Sequence, residues 1–411
     1  MIIQTAYRYR FYPTPAQAAQ LAQSFGCGRW IYNWGLKERT DAFYNEGRRV
    51  YYKDLAARLK ELKKAPETAW LSEVSSVVLQ QSLRHLDTAF TKFFKKESDY
   101  PTFKSKRGSQ SCTYMANAFT FHNEALTLAK QDAPLDIRWS RPLPKGAVPS
   151  SVTVTRTTGD KFYVSFQVEE DRIPLPTASW EVGIDLNVKE VVCSNGKRYA
   201  IPGKLKILEQ RKRRYQRASR RKVAAAKVAM GLASNAKLLK GMRLPLSNNL
   251  KKAYRKVGRV SESIANVRKD WQQKLTTSIV RENQTIALES LYVRGMTASA
   301  KGSADKPGSN VKAKSGLNRS VLNAGFGEIA RQLEYKAAWS GRSLVKIDRW
   351  YPSSKRCSCC GYVLKKLSLS TRHWLCPDCG QSHDRDENAA INILMAGKAI
   401  LAGADGLRVH E

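Results

Sequence analysis

Acid is scarce in this chain. Its 411 residues carry 35 aspartates and glutamates against 71 lysines and arginines, a formal charge of +36. Solubility does not require so one-signed an excess, so the imbalance points to a polyanionic partner, of which nucleic acid is the common one. Long apolar runs are missing too. None reaches the roughly 18 residues of a membrane helix, which excludes a spanning segment and a membrane partner. Met1-Ile2-Ile3-Gln4 leads into basic and aromatic residues, not into the apolar stretch and small-residue cleavage site of a secretory signal. The expectation is an intracellular chain. Cys27, Cys112 and Cys193 stand apart in apolar or loop settings and read as ordinary reduced thiols, which suits that compartment. Apolar residues make up 42% of the sequence, enough for real cores, and the length predicts two or three domains.

The most informative stretch is Trp180-Glu181-Val182-Gly183-Ile184-Asp185-Leu186-Asn187. Val182, Ile184 and Leu186 alternate onto one face of a predicted strand, with Gly183 and Asp185 on the other. A second apolar run, 188–193, is followed by Asn195-Gly196, a type I′ turn signal, and by a third strand over 197–201. A lone aspartate here could be a surface turn residue. Two further acidic positions argue otherwise. Gln284-Thr285-Ile286-Ala287-Leu288-Glu289 reads as a strand with Ala287 and Glu289 on one face, and Asp384, Asp386 and Glu387 open an Ala-rich helix, where the macrodipole favours negative charge. Carboxylates at strand ends and a helix start are what a two-metal phosphodiester-cleaving site requires, with two Mg²⁺ held about 4 Å apart. Three antiparallel strands followed by helix, strand, helix, strand and helix suit a multidomain α/β chain with a ribonuclease H-like mixed sheet.

Upstream, residues 2–12 alternate as an edge-capable strand, Thr14 is placed to cap a helix over 16–46, and helices follow over 52–63 and 75–96. Trp30 and Trp34 could stack on bases, though at helical spacing they read first as core. Strands at 111–121, 125–128, 136–139, 151–157 and 161–169 suggest a small β-barrel completed by the N-terminal strand. Gln80 and Gln81, near the start of the third helix, and Lys104 and Lys106, in an extended basic segment, are candidate nucleic-acid contacts. Arg211, Arg213, Arg214, Arg217 and Arg221 crowd a long helix that lacks acids at i+4, so phosphate neutralisation fits them better than salt bridging. Residues 297–316 read as a flexible loop and candidate lid beside Glu289, and 321–339 as the next helix.

Cys357-Ser358-Cys359-Cys360-Gly361 and Cys376-Pro377-Asp378-Cys379-Gly380 form two CxxCG knuckles. Cys357, Cys360, Cys376 and Cys379 have the spacing of a four-thiolate structural Zn²⁺ site, a zinc ribbon. Cys359 leaves another pairing arguable. His373 and His383 read as hydrogen-bonding neighbours.

With these motifs in view, the chain resembles the transposon-encoded TnpB proteins, compact relatives of type V CRISPR effectors. The resemblance rests on Gly183-Ile184-Asp185-Leu186, Ile286-Ala287-Leu288-Glu289, the segment from Ser315-Gly316-Leu317-Asn318 to Leu333-Glu334-Tyr335-Lys336, the cysteine knuckles, and Asp384-Arg385-Asp386-Glu387-Asn388-Ala389-Ala390. It implies an RNA-guided DNA endonuclease of an insertion sequence, cytoplasmic and nucleoid-associated, that cuts beside a short flanking motif. The implied partners are guide RNA from the transposon end, bound by one protein monomer, and target double-stranded DNA. The implied architecture is a wedge β-barrel (1–14 and 108–176) split by a helical recognition domain (15–107), then a RuvC nuclease domain (177–354 and 382–411) interrupted by the zinc ribbon (355–381). The implied catalytic acids are Asp185, Glu289 and Asp386, with Asp384 the competitor for the third place, acting with two Mg²⁺. Tyr351-Pro352-Ser353-Ser354 departs from the family's usual run before the first cysteine, so no role is carried to Ser353 or Ser354. Two other functions remain open: an RNA-guided regulator that binds DNA without cutting, and a transposase acting without RNA.

Overall fold

A computed structural model describes residues 1–239, 242–303, 305–368 and 370–403; residues 404–411, the end of the expected 382–411 part, lie outside the described residues. The chain forms two compact units, one of 2–171 with 214–260, the other of Met1, 172–213 and 261–411.

In the first unit, β1 (Ile2–Phe11) leads to α1 (Pro15–Glu46), α2 (Tyr52–Lys64) and α3 (Ser76–Phe94). Thr14 caps α1 reciprocally: its hydroxyl accepts from the Gln17 N–H at 3.2 Å, and the Gln17 side chain accepts from the Thr14 N–H at 3.0 Å. Ile31, Leu36, Leu55, Leu79, Leu83 and Leu86 make a helical core, and Trp30 and Trp34 pack against it while staying partly exposed. The strands that follow are β2 (Gln110–Met115), β3 (Phe119–His122), β4 (Ala125–Leu128), β5 (Ile137–Arg138), β6 (Ser151–Arg156) and β7 (Phe162–Asp171). Four of these join β1 in one sheet, in the order β2-β6-β7-β1-β5, while β3 and β4 pair separately. The N-terminal strand is therefore interior, paired with β7 from Ile2↔Asp171 to Phe11↔Phe162 and with β5 only at its last two residues. The strand expected over 111–121 breaks at a 3₁₀ turn, Ala116–Ala118, so that β2 and β3 enter different sheets.

The second unit is built on the sheet β10-β9-β8-β11-β12. Here β8 is Trp180–Leu186, β9 Glu190–Cys193 and β10 Arg198–Ala200; α4 (Lys204–Val228) and α5 (Asn248–Glu282), whose residues 214–228 and 248–260 belong to the first unit, then precede β11 (Asn283–Glu289). The antiparallel hairpin β8-β9-β10 joins β11 and then β12 in parallel. The chain continues through α6 (Val293–Met296), α7 (Val311–Ala324), α8 (Phe326–Ser340), β12 (Ser343–Ile347), β13 (His373–Leu375), β14 (Ser382–Asp384) and α9 (Arg385–Leu401). Two details differ from expectation. Gly316 lies within α7, so the loop ends at 310, and the helix expected over 321–339 is two helices broken at Gly325, whose φ of +70° favours glycine.

The alternation read in β8 sorts the packing. Val182 and Ile184, with Ile286 and Leu288 of β11, join Leu275, Ile279, Ile329 and Leu333 of α5 and α8 on one face. Across the sheet lies α9, and its approach is very close. A Cβ on Gly183 would stand 2.0 Å from the Ala390 carbonyl oxygen, and one on Gly397 would stand 2.6 Å from the Ala287 Cβ. Small residues on both surfaces are thus what allows helix backbone to rest on sheet backbone.

Candidate active site and metal centre

The register of β8 and β11 sets Ile184 beside Leu288, so Asp185 and Glu289 follow side by side at the C-terminal ends of parallel strands, on the face that α9 covers. Asp386 enters from the first turn of α9. Burial, the Glu289 carboxylate and, more weakly, Asp386 raise the pKa of Asp185 from its ordinary 3.8 to about 7; the Asn187 amide, which donates to Asp185 Oδ2 at 2.7 Å, works against the rise. Burial also raises Glu289, opposed by the Ser353 hydroxyl, which donates to its Oε1 at 2.5 Å. Asp185 and Glu289, both raised, with the Asp386 carboxylate acting on Asp185, form a site that a cation would stabilise. All its donors are carboxylate oxygens, the set that suits Mg²⁺.

The two candidates for the third acid differ sharply. Asp384 is the N-cap of α9: its Oδ1 accepts from the N–H groups of Asp386 (3.0 Å) and Glu387 (2.9 Å) and pairs with the Arg198 guanidinium at 2.8 Å. Burial pushes its pKa up, but these donors hold it below the ordinary range. Among the described residues the Asp386 carboxylate takes one ion pair, from Arg372 at 3.2 Å, and of the two candidates it is the one that bears on Asp185.

Ser353 carried no sequence expectation, yet it is buried against Glu289. Its carbonyl accepts from the amides of Asn388 (3.4 Å) and Asn392 (2.9 Å), which also donate to the Arg356 carbonyl. Asn388 in turn accepts from the Ser358 N–H at 3.0 Å, inside the first cysteine knuckle. Two buried asparagines at i,i+4 on one helix face were the available signal. Ser353 itself had none, because its partner is remote in sequence.

The thiols of Cys357, Cys360, Cys376 and Cys379 all lie within 4.8 Å of one another. The Cys357–Cys379 and Cys360–Cys376 separations are both 3.6 Å, near the roughly 3.8 Å between sulfurs of a tetrahedral site with 2.3 Å Zn–S bonds. Cys359 is exposed and outside this set. His383 Nε2 lies 3.0 Å from Cys357 Sγ, as expected of a hydrogen-bonding neighbour. Although burial opposes it, the Cys360 and Cys359 N–H groups and His383 draw the Cys357 thiol down to about 6, favouring a thiolate.

Of the other candidates, Arg211, Arg213, Arg214, Arg217 and Arg221 are exposed along α4, and none forms an ion pair among the described residues. Gln80 is exposed and Gln81 half-buried in α3, while Lys106 is exposed. Lys104 is committed locally: its N–H and carbonyl bond Asn33, and its ammonium lies 4.0 Å from the Tyr32 ring centroid. Among the described residues, no helix is long and apolar enough to cross a membrane.

Comparison with known proteins agrees with this layout. Residues 164–300 match the family described as "Probable transposase", 326–393 a "Cas12f1-like, TNB domain" and 1–48 a "Helix-turn-helix domain". The last stretch is here one strand and one 32-residue helix. A Streptomyces pristinaespiralis protein named "Putative RNA-guided DNA endonuclease" is 46% identical over 408 residues, covering 99% of this chain and 92% of its own. An Escherichia coli K12 protein, "Putative RNA-guided DNA endonuclease InsQ", is 32% identical across 97% of this chain and 93% of its own. The protein in a solved Cas12f1–sgRNA–target DNA complex superposes with a TM-score of 0.52 at 14% identity, over 95% of this chain and 98% of that one, which is a likeness of fold. On its near full-length identity to these relatives, the chain belongs to the TnpB family of insertion-sequence proteins.

Proposed function

We propose that this protein is an RNA-guided DNA endonuclease of an insertion sequence, and that it hydrolyses target phosphodiesters at Asp185, Glu289 and Asp386. Full-length similarity to proteins of that name supports the activity. The observation that carries the site is the electrostatic coupling of Asp185 to Glu289 and Asp386, which come from two parallel strand ends and a helix start. Two Mg²⁺ would supply water activation and leaving-oxygen stabilisation. The chain's own residues do the rest. Asp185, Glu289 and Asp386 would hold the cations as carboxylates, the Asp185 proton passing to solvent, while Asn187 and Ser353 orient the Asp185 and Glu289 oxygens and Arg372 steadies Asp386.

The β10-β9-β8-β11-β12 sheet with helices on both faces supports a RuvC-type domain over 177–354 and 382–411. Cys357, Cys360, Cys376 and Cys379 form a zinc ribbon over 355–381, supported by their mutual approach. The helical part (15–107) and the wedge sheet (1–14 and 108–176) contact the flanking motif through Gln80, Gln81 and Lys106. The exposed arginines of α4 neutralise phosphates of guide RNA or target. One monomer per RNA, in the cytoplasm at the nucleoid, completes the reading.

The test is cleavage of a plasmid target by the protein purified with RNA from its own locus. Mg²⁺-dependent cutting that Asp185→Ala abolishes, with RNA binding retained, is the expected result. Cutting by the variant at the wild-type rate overturns the site, and absence of co-purifying RNA overturns the guided mechanism.

A further inference from the structure

We propose that Tyr292, Arg349 and Trp350 form a stacking platform for single-stranded DNA at the mouth of the site, gripping the strand to be cut without regard to base sequence. This rests on the nuclease reading for its purpose, though not for its geometry. A cavity of about 430 Å³ opens beside Glu289 and is lined by Leu186, Tyr292, Phe326, Lys346 and Arg349 among others. Trp350 adjoins it in sequence. Tyr292 is 57% exposed and Trp350 79% exposed, so neither ring serves the core. The Arg349 guanidinium carbon lies 5.1 Å from the Trp350 ring centroid and 6.0 Å from that of Tyr292, which places one cation against two aromatic faces.

The surroundings hold this arrangement in place. Asp348 accepts from the Trp350 N–H at 2.7 Å and from the Tyr351 N–H through its carbonyl at 3.2 Å, fixing the turn that carries the ring. A Cβ at Gly295 would stand 2.4 Å from Tyr292 Cδ1, so the missing side chain there is what lets the tyrosine lie over α6. Lys346 is engaged by Glu334, whereas Arg349 has no ion pair among the described residues. An unpaired guanidinium between two exposed rings offers phosphate a donor fork and offers bases two π faces. Duplex DNA cannot use it, because its base faces are already stacked on one another. The ligand chemistry is therefore an unpaired strand, and the position beside Glu289 makes it the strand presented for hydrolysis.

The probe is fluorescent oligothymidylate, titrated with the guide-bound, zinc-loaded full chain with Ca²⁺ in place of Mg²⁺ and no chelator, so that nothing is cut. Trp350→Ala and Tyr292→Ala should each weaken binding about five- to hundredfold. Arg349→Ala should also flatten the slope of log K against log salt by about 0.7. Trp350→Phe should restore affinity, and guide RNA affinity should not change in any variant. Photocrosslinking of an iododeoxyuridine-substituted oligonucleotide should label Tyr292 or Trp350. Wild-type affinity in both alanine variants, or crosslinks confined to other residues, would overturn the platform even if the wild-type protein cuts DNA normally. Conversely, variants that lose oligonucleotide affinity in a protein that never cuts DNA would uphold the platform and sink the nuclease reading.

Discussion

Ser353→Ala removes one hydroxyl and should disable the site through Glu289 without unfolding anything. The hydroxyl donates to Glu289 Oε1 at 2.5 Å, and Ser353 is only 7% exposed, so bulk water does not replace it freely. A hydrogen bond to a charged group contributes about 1.5–3 kcal/mol, and losing it moves the Glu289 pKa further upward, because the Ser353 hydroxyl favours the ionised form. Burial already raises this carboxyl, so the change adds to an existing tendency. A carboxylate must be ionised to hold a cation. The Mg²⁺ concentration giving half-maximal cleavage should therefore rise near neutral pH, by no more than the roughly ten- to hundredfold that about 1.5–3 kcal/mol sets. Because the cost is protonation, raising the pH should recover activity in the variant more than in the wild type. Ser353→Thr, which keeps the hydroxyl, should stay near wild type. Zinc content and melting temperature should be unaltered, since the Ser353 carbonyl still accepts from Asn388 and Asn392. A cleavage-versus-Mg²⁺ curve for Ser353→Ala that overlays the wild-type curve at each pH would refute the argument.

The acids make a second prediction about pH. Asp185 rises from 3.8 to about 7 on folding, so ionising it in the native protein costs up to about 4 kcal/mol, a cost complete above pH 7 and gone by about pH 4. In buffer without divalent cations or chelator, Asp185→Asn should thus melt higher than wild type at pH 8, with the gap closing as pH falls; a pH-independent gap would contradict this. Asp386→Ala should abolish cutting without lowering the melting point, whereas Asp384→Ala should remove a helix cap and lose about 1 kcal/mol of stability; the reverse pattern would exchange their roles. Cys376→Ser should release zinc and loosen the ribbon, measured by elemental analysis and limited proteolysis; a wild-type protein without zinc would end that assignment. Reversing Arg213, Arg214, Arg217 and Arg221 to Glu should weaken nucleic-acid binding and flatten its salt dependence by about 0.7–0.9 per lost phosphate contact; equal slopes would return α4 to an ordinary solvated helix.

What could be read from the sequence was local or periodic. Alternation in β8 assigned its faces, Thr14 announced its capping role, and the cysteine spacing announced the cluster. What could not be read depended on contacts between distant segments. Whether β1 is an edge or an interior strand depends on β5 and β7, which its own alternation does not encode. Ser353 sits 64 residues from Glu289, and its hydroxyl is unremarkable until the fold buries it there. Glycine lies between these cases. Gly183 was visible beside Asp185, but only the helix backbone 2.0 Å from its absent Cβ explains why no side chain is tolerated. That contact carries a functional argument. Asp386 reaches the end of β8 because α9 rests directly on the sheet, and α9 can do so because position 183 is bare on the surface that presents Asp185. A methyl at 183 would meet the Ala390 carbonyl and the Leu394 N–H, backbone atoms that cannot swing aside, and would lift the whole helix. The residue two before the first acid thus sets the distance to the third.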